Sequence, residues 1–135
     1  MILDTSVLYD SLVAGPRSHA ARTLLSTIDL WSAPDLIEIE IASALTKAVR
    51  RGDIDEQTAR LSFADAQELM PDIVDSSPLI ERALELSLSL EHPMPDCVFL
   101  ALAELHNDPL ATADARFVRK LAGTAYARLI KLVES

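Results

Sequence analysis

Short apolar runs that stop at an acid or a proline alternate along this chain with longer segments of helical periodicity. The first run starts at Met1 and stops at Asp4, where the hydroxyl residues Thr5 and Ser6 follow. A run of this kind is typical of a buried strand that ends at a helix N-cap. Further short strands are predicted at 30–33, 72–75, 110–113 and 129–133.

Between these runs, apolar residues recur at helical spacing. After Pro34, the residues Ile37, Ile41 and Ala48 share one face, and a helix is predicted to begin at Pro34 and to end near Arg51. Because short strands alternate with helices, we predict an α/β fold with a mostly parallel central sheet of about five strands and helices on both faces.

Length and composition narrow the class of protein. The 135 residues predict one domain, 1–135, that can bury a single core. No uncharged apolar run approaches the roughly 20 residues of a membrane helix, and the N-terminus lacks the regions of a signal peptide. A lone cysteine, Cys97, excludes an internal disulfide and a cysteine-built zinc site. We therefore expect a cytoplasmic protein without a membrane partner.

The charge balance is strongly acidic, with 12 basic and 21 acidic residues and a net charge of -9. This argues against a protein that holds nucleic acid mainly by releasing counterions. It leaves room for an enzyme that acts on nucleic acid through bound metal, since clustered carboxylates bind hard divalent cations. It also suits a basic protein partner.

Three acids fall at strand-to-helix junctions or helix starts, namely Asp4, Asp96 and Asp114. Helix capping is a sufficient explanation for an aspartate in such a place. Asp96 and Asp114, however, adjoin the most apolar segments of the chain, where the desolvation of a carboxylate costs the most free energy. The rim where strands end is also where open α/β sheets bind ligands. Both interpretations stay open at this point.

A fourth acid lies in the predicted helix after Pro34. Glu40 sits at one shoulder of the apolar face and Glu38 near the opposite shoulder. Helical geometry alone does not choose between these two glutamates.

Four segments together resemble a known family. They are ILDTSVL at the N-terminus, the glutamate before IASAL in APDLIEIEIASAL, PDCVFLALAE, and ATADARF. In order and spacing, the chain resembles PIN domains over nearly its full length, specifically the small VapC-like ribonuclease toxins of bacterial toxin–antitoxin pairs. The resemblance implies a PIN-like three-layer α/β/α sandwich.

The resemblance also implies roles for individual residues. It assigns metal binding and catalysis to Asp4, Glu40, Asp96 and Asp114, and it selects Glu40 over Glu38. The hydroxyls of Ser6 and Thr112 match supporting positions. Pro95 departs from the pattern, because many relatives carry an aromatic residue before the aspartate, so a substrate-stacking role at that position is not carried over.

Phosphodiester hydrolysis suits this set of acids. Mg²⁺ or Mn²⁺ can activate water and neutralise charge on the phosphate, and such ions take few protein ligands, mostly carboxylates. We assign Asp4 and Asp96 as the direct ligands, with Glu40 and Asp114 completing the site directly or through water. The expected partners are an RNA substrate, a cognate antitoxin with a basic side chain, and a second copy of the chain in a homodimer.

Other enzyme classes fail at particular residues. A haloacid-dehalogenase phosphatase would need a second acid two positions after the first, where this chain has Ser6. A receiver domain would need an acidic pair at the first strand-to-helix junction and a lysine after a late strand, and this chain has neither. The remaining alternative is a catalytically inactive PIN-like binding or regulatory module.

The remaining side chains that could bind a metal are not assigned to a metal site. His19, His92 and His106 share no metal-ligand spacing and are expected on the surface or in the core. Cys97 has no nominated base and is expected to fill space in the core.

Overall fold

Five short strands form the central sheet in a computed structural model that describes residues 1–69 and 72–134. In this part of the chain the strands are β1 (Ile2–Leu3), β2 (Ser32–Pro34), β3 (Asp72–Val74), β4 (Leu110–Thr112) and β5 (Ile130–Leu132). Their order in the sheet is β3-β2-β1-β4-β5, and all four neighbouring pairs are parallel.

Seven α-helices lie in the same described ranges. They are α1 (Thr5–Leu12), α2 (Ser18–Thr27), α3 (Leu36–Arg50), α4 (Glu56–Leu69), α5 (Ile80–Leu90), α6 (Met94–His106) and α7 (Ala115–Leu121). Single 3-10 turns at Ser77–Leu79 and Ala127–Leu129 lead into α5 and β5.

The helices form two layers around the sheet. On one side α1 contacts α2, α3 and α4, and on the other α5 packs against α6, while α1 and α6 both contact β4. The predicted three-layer α/β/α sandwich with a parallel sheet is therefore confirmed.

The most deeply buried helix is α6, in which every residue from Cys97 to Ala103 is buried. Its apolar character on nearly every face predicted this position, and Cys97 fills space in the core as expected. Among residues 1–69 and 72–134, no helix is long and apolar enough to span a bilayer.

One predicted boundary is wrong. Pro34 is the last residue of β2, where it pairs with Val74, and α3 begins two residues later at Leu36. Proline has no N–H to continue the ladder towards β1 beyond the bond from Ser32 to Met1, while the β3 side is served by the backbone N–H of Asp35, which donates to Val74 at 2.7 Å.

The strand order creates a crevice between β1 and β4. The chain moves outward from β1 through β2 to β3, and then returns to the other side of β1 to form β4 and β5. Parallel α/β sheets bind ligands at the carboxyl ends of strands where the order reverses in this way. Asp4 directly follows β1, and Asp114 comes two residues after β4.

Candidate active site

Asp4 lies where β1 ends and α1 begins, and its side chain caps α1. Its Oδ1 accepts the backbone N–H of Val7 at 3.3 Å and the hydroxyl of Ser6. The residue is only 8% exposed, and this burial raises the pKa of its carboxyl to about 6, because desolvation outweighs the hydrogen bonds that favour the charged form. The predicted cap is present, yet it holds a carboxylate in an unfavourable environment.

Two hydroxyls join the ends of β1 and β4. Ser6 Oγ donates to Asp4 and accepts the backbone N–H of Ala113 at 2.9 Å. Thr112 is fully buried, its hydroxyl oxygen accepts the backbone N–H of Asp114 at 3.0 Å, and the same hydroxyl lowers the pKa of the Asp4 carboxyl. The two hydroxyls therefore fix the position of Asp4 relative to Asp114.

Asp114 caps α7 through a single oxygen. Its Oδ1 accepts the backbone N–H groups of Arg116 at 3.0 Å and Phe117 at 3.2 Å. Its Oδ2 accepts no hydrogen bond from the part of the chain that the structure describes. Capping therefore leaves one oxygen of Asp114 available as a ligand.

Asp96 does not act as a helix cap. It lies in the first turn of α6, but the N-cap position is Pro93, and no backbone N–H in the described ranges donates to the Asp96 side chain. Its Oδ2 instead lies 2.6 Å from Nε2 of His92. Burial raises the pKa of Asp96, His92 opposes the rise, and the negative charge of Asp114 adds to it. Capping thus fails to explain this acid.

Glu40 projects from α3 towards α1. Its Oε1 accepts the hydroxyl of Thr5 at 2.7 Å. Burial raises the pKa of Glu40, Asp96 adds to the rise, and the ammonium of Lys47 lowers it. Glu38 is exposed on the same helix. Packing of α3 against α1 therefore distinguishes the two glutamates that helical geometry left equivalent.

Charge interactions link the four acids, and we refer to Asp4, Glu40, Asp96 and Asp114 as the acid cluster. In the described residues, the group of three or more potential metal ligands within 4.8 Å of one another takes Asp96 and Asp114 from this cluster, and neither Asp4 nor Glu40. The charge of Asp96 raises the pKa of both Asp4 and Glu40, and Asp114 acts on Asp96 in turn. Within the described residues, no lysine or arginine forms an ion pair with any of the four. Lys47 and His92 act on Glu40 and Asp96 without pairing every acid, and clustered carboxylates are the donor set that Mg²⁺ and Mn²⁺ favour, so the cluster fits such an ion.

His92 is a neighbour of the cluster that the sequence did not reveal. Its side chain is 8% exposed, as expected for a core residue, and it stacks on Phe117 with ring centroids 4.1 Å apart. Ligand atoms of His92, Asp96 and Asp114 all lie within 4.8 Å of one another. The four-residue spacing to Asp96 was the only available signal, and two intervening prolines at 93 and 95 obscured it.

Comparison with known proteins identifies the family. A family model described as PIN domain matches residues 1–122. The chain belongs to the PIN-domain family. It is also 30% identical over 119 residues to Ribonuclease VapC1 of Mycobacterium tuberculosis, from strain CDC 1551 / Oshkosh and from strain H37Rv, covering 85% of this chain and 86% of each relative. The resemblance drawn from the four sequence segments is thereby confirmed.

Solved structures share the PIN-domain fold. A toxin–antitoxin complex from Klebsiella pneumoniae contains a chain with a TM-score of 0.65 and 22% identity, covering 99% of this chain and 98% of that one. The crystal structure of PAE2754 from Pyrobaculum aerophilum gives a TM-score of 0.70 at 21% identity, covering 91% and 80%. At these identities the likeness speaks for the fold.

Proposed function

We propose that this PIN-domain chain is a metal-dependent endoribonuclease and the toxin component of a toxin–antitoxin pair. The observation that carries the proposal is the acid cluster, in which four carboxylates interact electrostatically and none forms an ion pair with a lysine or arginine of the described residues. The 30% identity to Ribonuclease VapC1 supports RNA as the substrate class.

The acid cluster is the proposed binding site for Mg²⁺ or Mn²⁺. Asp4 and Asp96 would hold the ion directly, and Glu40 and Asp114 would complete its surroundings directly or through water. A bound divalent ion supplies neutralising charge at the phosphate and makes water a better nucleophile at neutral pH.

The chain itself supplies orientation. The hydrogen bond from Thr5 fixes Glu40, and the helix cap fixes Asp114, so either carboxylate can accept a hydrogen bond from the attacking water in a defined direction. Ser6 and Thr112 fix Asp4 in the same way. Side chains held before the substrate arrives lose little conformational entropy during the reaction.

Cleavage of RNA by the purified protein tests this function. We expect cleavage with Mg²⁺ or Mn²⁺, none in EDTA, and recovery when the ion is restored. The Asp96→Asn variant keeps the shape of the side chain and should be inactive. Metal-independent cleavage by clean protein, or full activity of this variant, would contradict the proposal.

The alternative from another class is a PIN-like binding or regulatory module without catalysis. Such a module would share the fold, but it gives no reason for a carboxylate such as Asp4, whose burial costs free energy of desolvation. RNA that is bound but never cut, under any divalent ion, would favour this alternative.

A cognate antitoxin is the proposed protein partner. An acid cluster suits an arginine side chain, whose planar fork matches carboxylates. A cavity of 660 Å³ lies away from the cluster between α3 and α4, and its apolar lining includes Leu45, Val49 and Phe63, as an amphipathic helix would require. Co-purification with the product of the adjacent gene, and loss of ribonuclease activity in that complex, are expected. Unchanged activity would argue against this pairing.

Homodimerisation stays a prediction. Sedimentation over a range of concentrations measures it, and a monomer at every concentration would contradict it. The cytoplasmic location likewise stays a prediction, and fractionation of cells that express the tagged protein would test it.

A further inference from the structure

A second, smaller cavity of 390 Å³ opens beside the acid cluster. Tyr9 on α1, Glu40, Ser43 and Lys47 on α3, and Arg51 directly after α3 contribute to its walls. The α3 residues recur every three or four positions, so they share one helix face. Glu40 belongs both to this cavity and to the acid cluster, and the two sites are therefore continuous. We call this space the flanking cavity.

The flanking cavity carries positive charge on an acidic chain. Only 12 residues in the sequence are basic against 21 acidic ones, yet Lys47 and Arg51 both line this space. In the described residues, no carboxylate lies within ion-pair distance of the Lys47 ammonium, and Arg51 engages Asp53 through Nε alone, at 3.0 Å. Both side chains retain donors for an anion.

Hydroxyl groups complete the lining. Neither the Tyr9 hydroxyl nor the Ser43 hydroxyl hydrogen-bonds to the part of the chain that the structure describes, although both residues face the cavity. Cations and uncommitted hydroxyls next to clustered carboxylates suit a ligand that is anionic at one end and polar at the other. A nucleotide has this chemistry, and 390 Å³ is within the usual size of a small-ligand site.

We propose that the flanking cavity binds the nucleotide next to the scissile phosphate of the RNA, with Lys47 and Arg51 on its phosphate and Tyr9 and Ser43 on its sugar. The inference rests on the proposed ribonuclease function and adds a substrate subsite to it. The acid cluster repels the rest of the RNA backbone, so a neighbouring pair of cations determines where the next phosphate can lie.

Charge-removing variants test the subsite. Lys47→Gln, Arg51→Gln and the double variant are compared with Lys131→Gln, whose lysine lies on β5 at the opposite edge of the sheet. The probe is a short fluorescein-labelled single-stranded RNA of mixed sequence. With Mg²⁺, KM should rise about threefold to tenfold for each single variant, with kcat little changed, because the contact precedes the chemical step.

Binding without cleavage gives an independent readout. In EDTA, anisotropy titrations over a range of salt concentrations should show a log–log slope that is smaller by about 0.7 when one phosphate contact is lost. Lys47→Arg should retain the wild-type slope, and Lys131→Gln should match the wild type. Once the cut bond is mapped, a neutral methylphosphonate at the flanking phosphate should raise KM for the wild type but not for the double variant.

Each contrary result is informative. Unchanged KM and slope in the double variant would overturn the subsite, and so would a loss of kcat at constant KM, which would mean that Lys47 acts on Glu40 instead. If the double variant binds RNA normally but is no longer inhibited by the partner protein, the subsite is also overturned, and the flanking cavity would instead bind a carboxylate of that partner. If the wild type binds RNA but never cuts it, the proposed function fails while the EDTA titrations still decide the subsite.

Discussion

Two groups of carboxylates in this molecule have opposite electrostatic surroundings. In the acid cluster, burial raises the pKa values of Asp4, Glu40 and Asp96. Between α5 and α6, Arg82 reaches Glu104 through Nε at 2.7 Å and through a second nitrogen at 2.9 Å, and these bonds lower the pKa of Glu104. The chain neutralises one group itself and leaves the other with excess negative charge.

The difference indicates what each group is for. An arginine that grips a carboxylate with two parallel bonds fastens one helix to another. Repulsion among carboxylates, of which Asp4 is buried and the other three are half-buried, brings no such structural benefit. A counter-charge from outside the chain, such as the proposed divalent ion, would relieve this repulsion, and the predictions below test that contrast from the largest expected effect to the smallest.

The largest effect is expected when the acid cluster loses Asp96. Asp96→Asn removes a proposed direct metal ligand and should lower ribonuclease activity by about 100-fold or more. Initial rates on a labelled RNA with saturating Mg²⁺ measure it. The matched control is Glu104→Gln, which removes a carboxylate from the other group and should leave the rate unchanged. Equal losses in both variants would erase the distinction between the two groups.

The second effect concerns pH. Because the folded-state pKa of Asp4 is raised from 3.8 to about 6, its favourable contribution is present at low pH and is lost as pH rises through that range. In EDTA, the stability of Asp4→Asn relative to the wild type should therefore increase by about 2 kcal/mol between about pH 4 and about pH 7. Asparagine still caps the helix, so the variant isolates the charge. Urea denaturation at each pH provides the measurement.

Metal and a second variant sharpen the pH test. Excess Mg²⁺ should shrink the advantage of Asp4→Asn, because only the wild type gains from binding the ion. Glu104→Gln should show the opposite trend. Because the pKa of Glu104 is lowered in the folded protein, the wild-type residue adds stability at pH values above its unfolded-state pKa, and this stability is lost as the pH falls. A flat difference across pH for Asp4→Asn would mean that its burial has no energetic consequence.

A smaller effect is expected at the hydroxyl that links the two junctions. Thr112→Val keeps the volume of a fully buried side chain but leaves the backbone N–H of Asp114 without its acceptor. We expect a loss of about 1–3 kcal/mol in unfolding free energy and a clear loss of activity. The Thr112→Ser variant keeps the hydroxyl and should retain most of the activity. A loss in that variant as large as in Thr112→Val would assign the effect to packing.

The smallest effect is expected at the helix-fastening ion pair. The side chains of Arg82 and Glu104 are 39% and 33% exposed, so solvent screens the pair. Glu104→Gln should cost about 1 kcal/mol or less at neutral pH. Thermal melts measure the loss, and high salt should reduce it. A loss as large as that of Thr112→Val would mean that the pair is more shielded than its exposure indicates.

Much of the site followed from sequence because strand ends and helix starts coincide with it. Asp4 and Asp114 were predictable both as helix caps and as site residues, and the structure shows that a carboxylate can cap with one oxygen and keep another available. Glu40 required the family resemblance. The contact that separates it from Glu38 is a hydrogen bond from Thr5 on another helix, and no periodicity within α3 reports such a contact.

The features that sequence analysis missed depend on tertiary structure. His92 reaches Asp96 because α5 ends at Leu90 and Glu91 adopts a left-handed φ of 52°, which turns the chain back over α6. Glutamate gives no signal for that conformation, which glycine usually supplies. The wrong start of α3 at Pro34 has a similar origin, because β2 extends to Pro34 by pairing with Val74 on β3, a strand far along the chain.

The bond between Ser6 and Ala113 joins residues that are 107 positions apart. During translation, β1 and α1 leave the ribosome long before β4 has been made, so the two halves of the acid cluster cannot meet on an incomplete chain. Pairing of such distant segments is also slow compared with the closure of local helices. A newly made copy therefore stays harmless to the RNA around it until almost its entire length has emerged and folded.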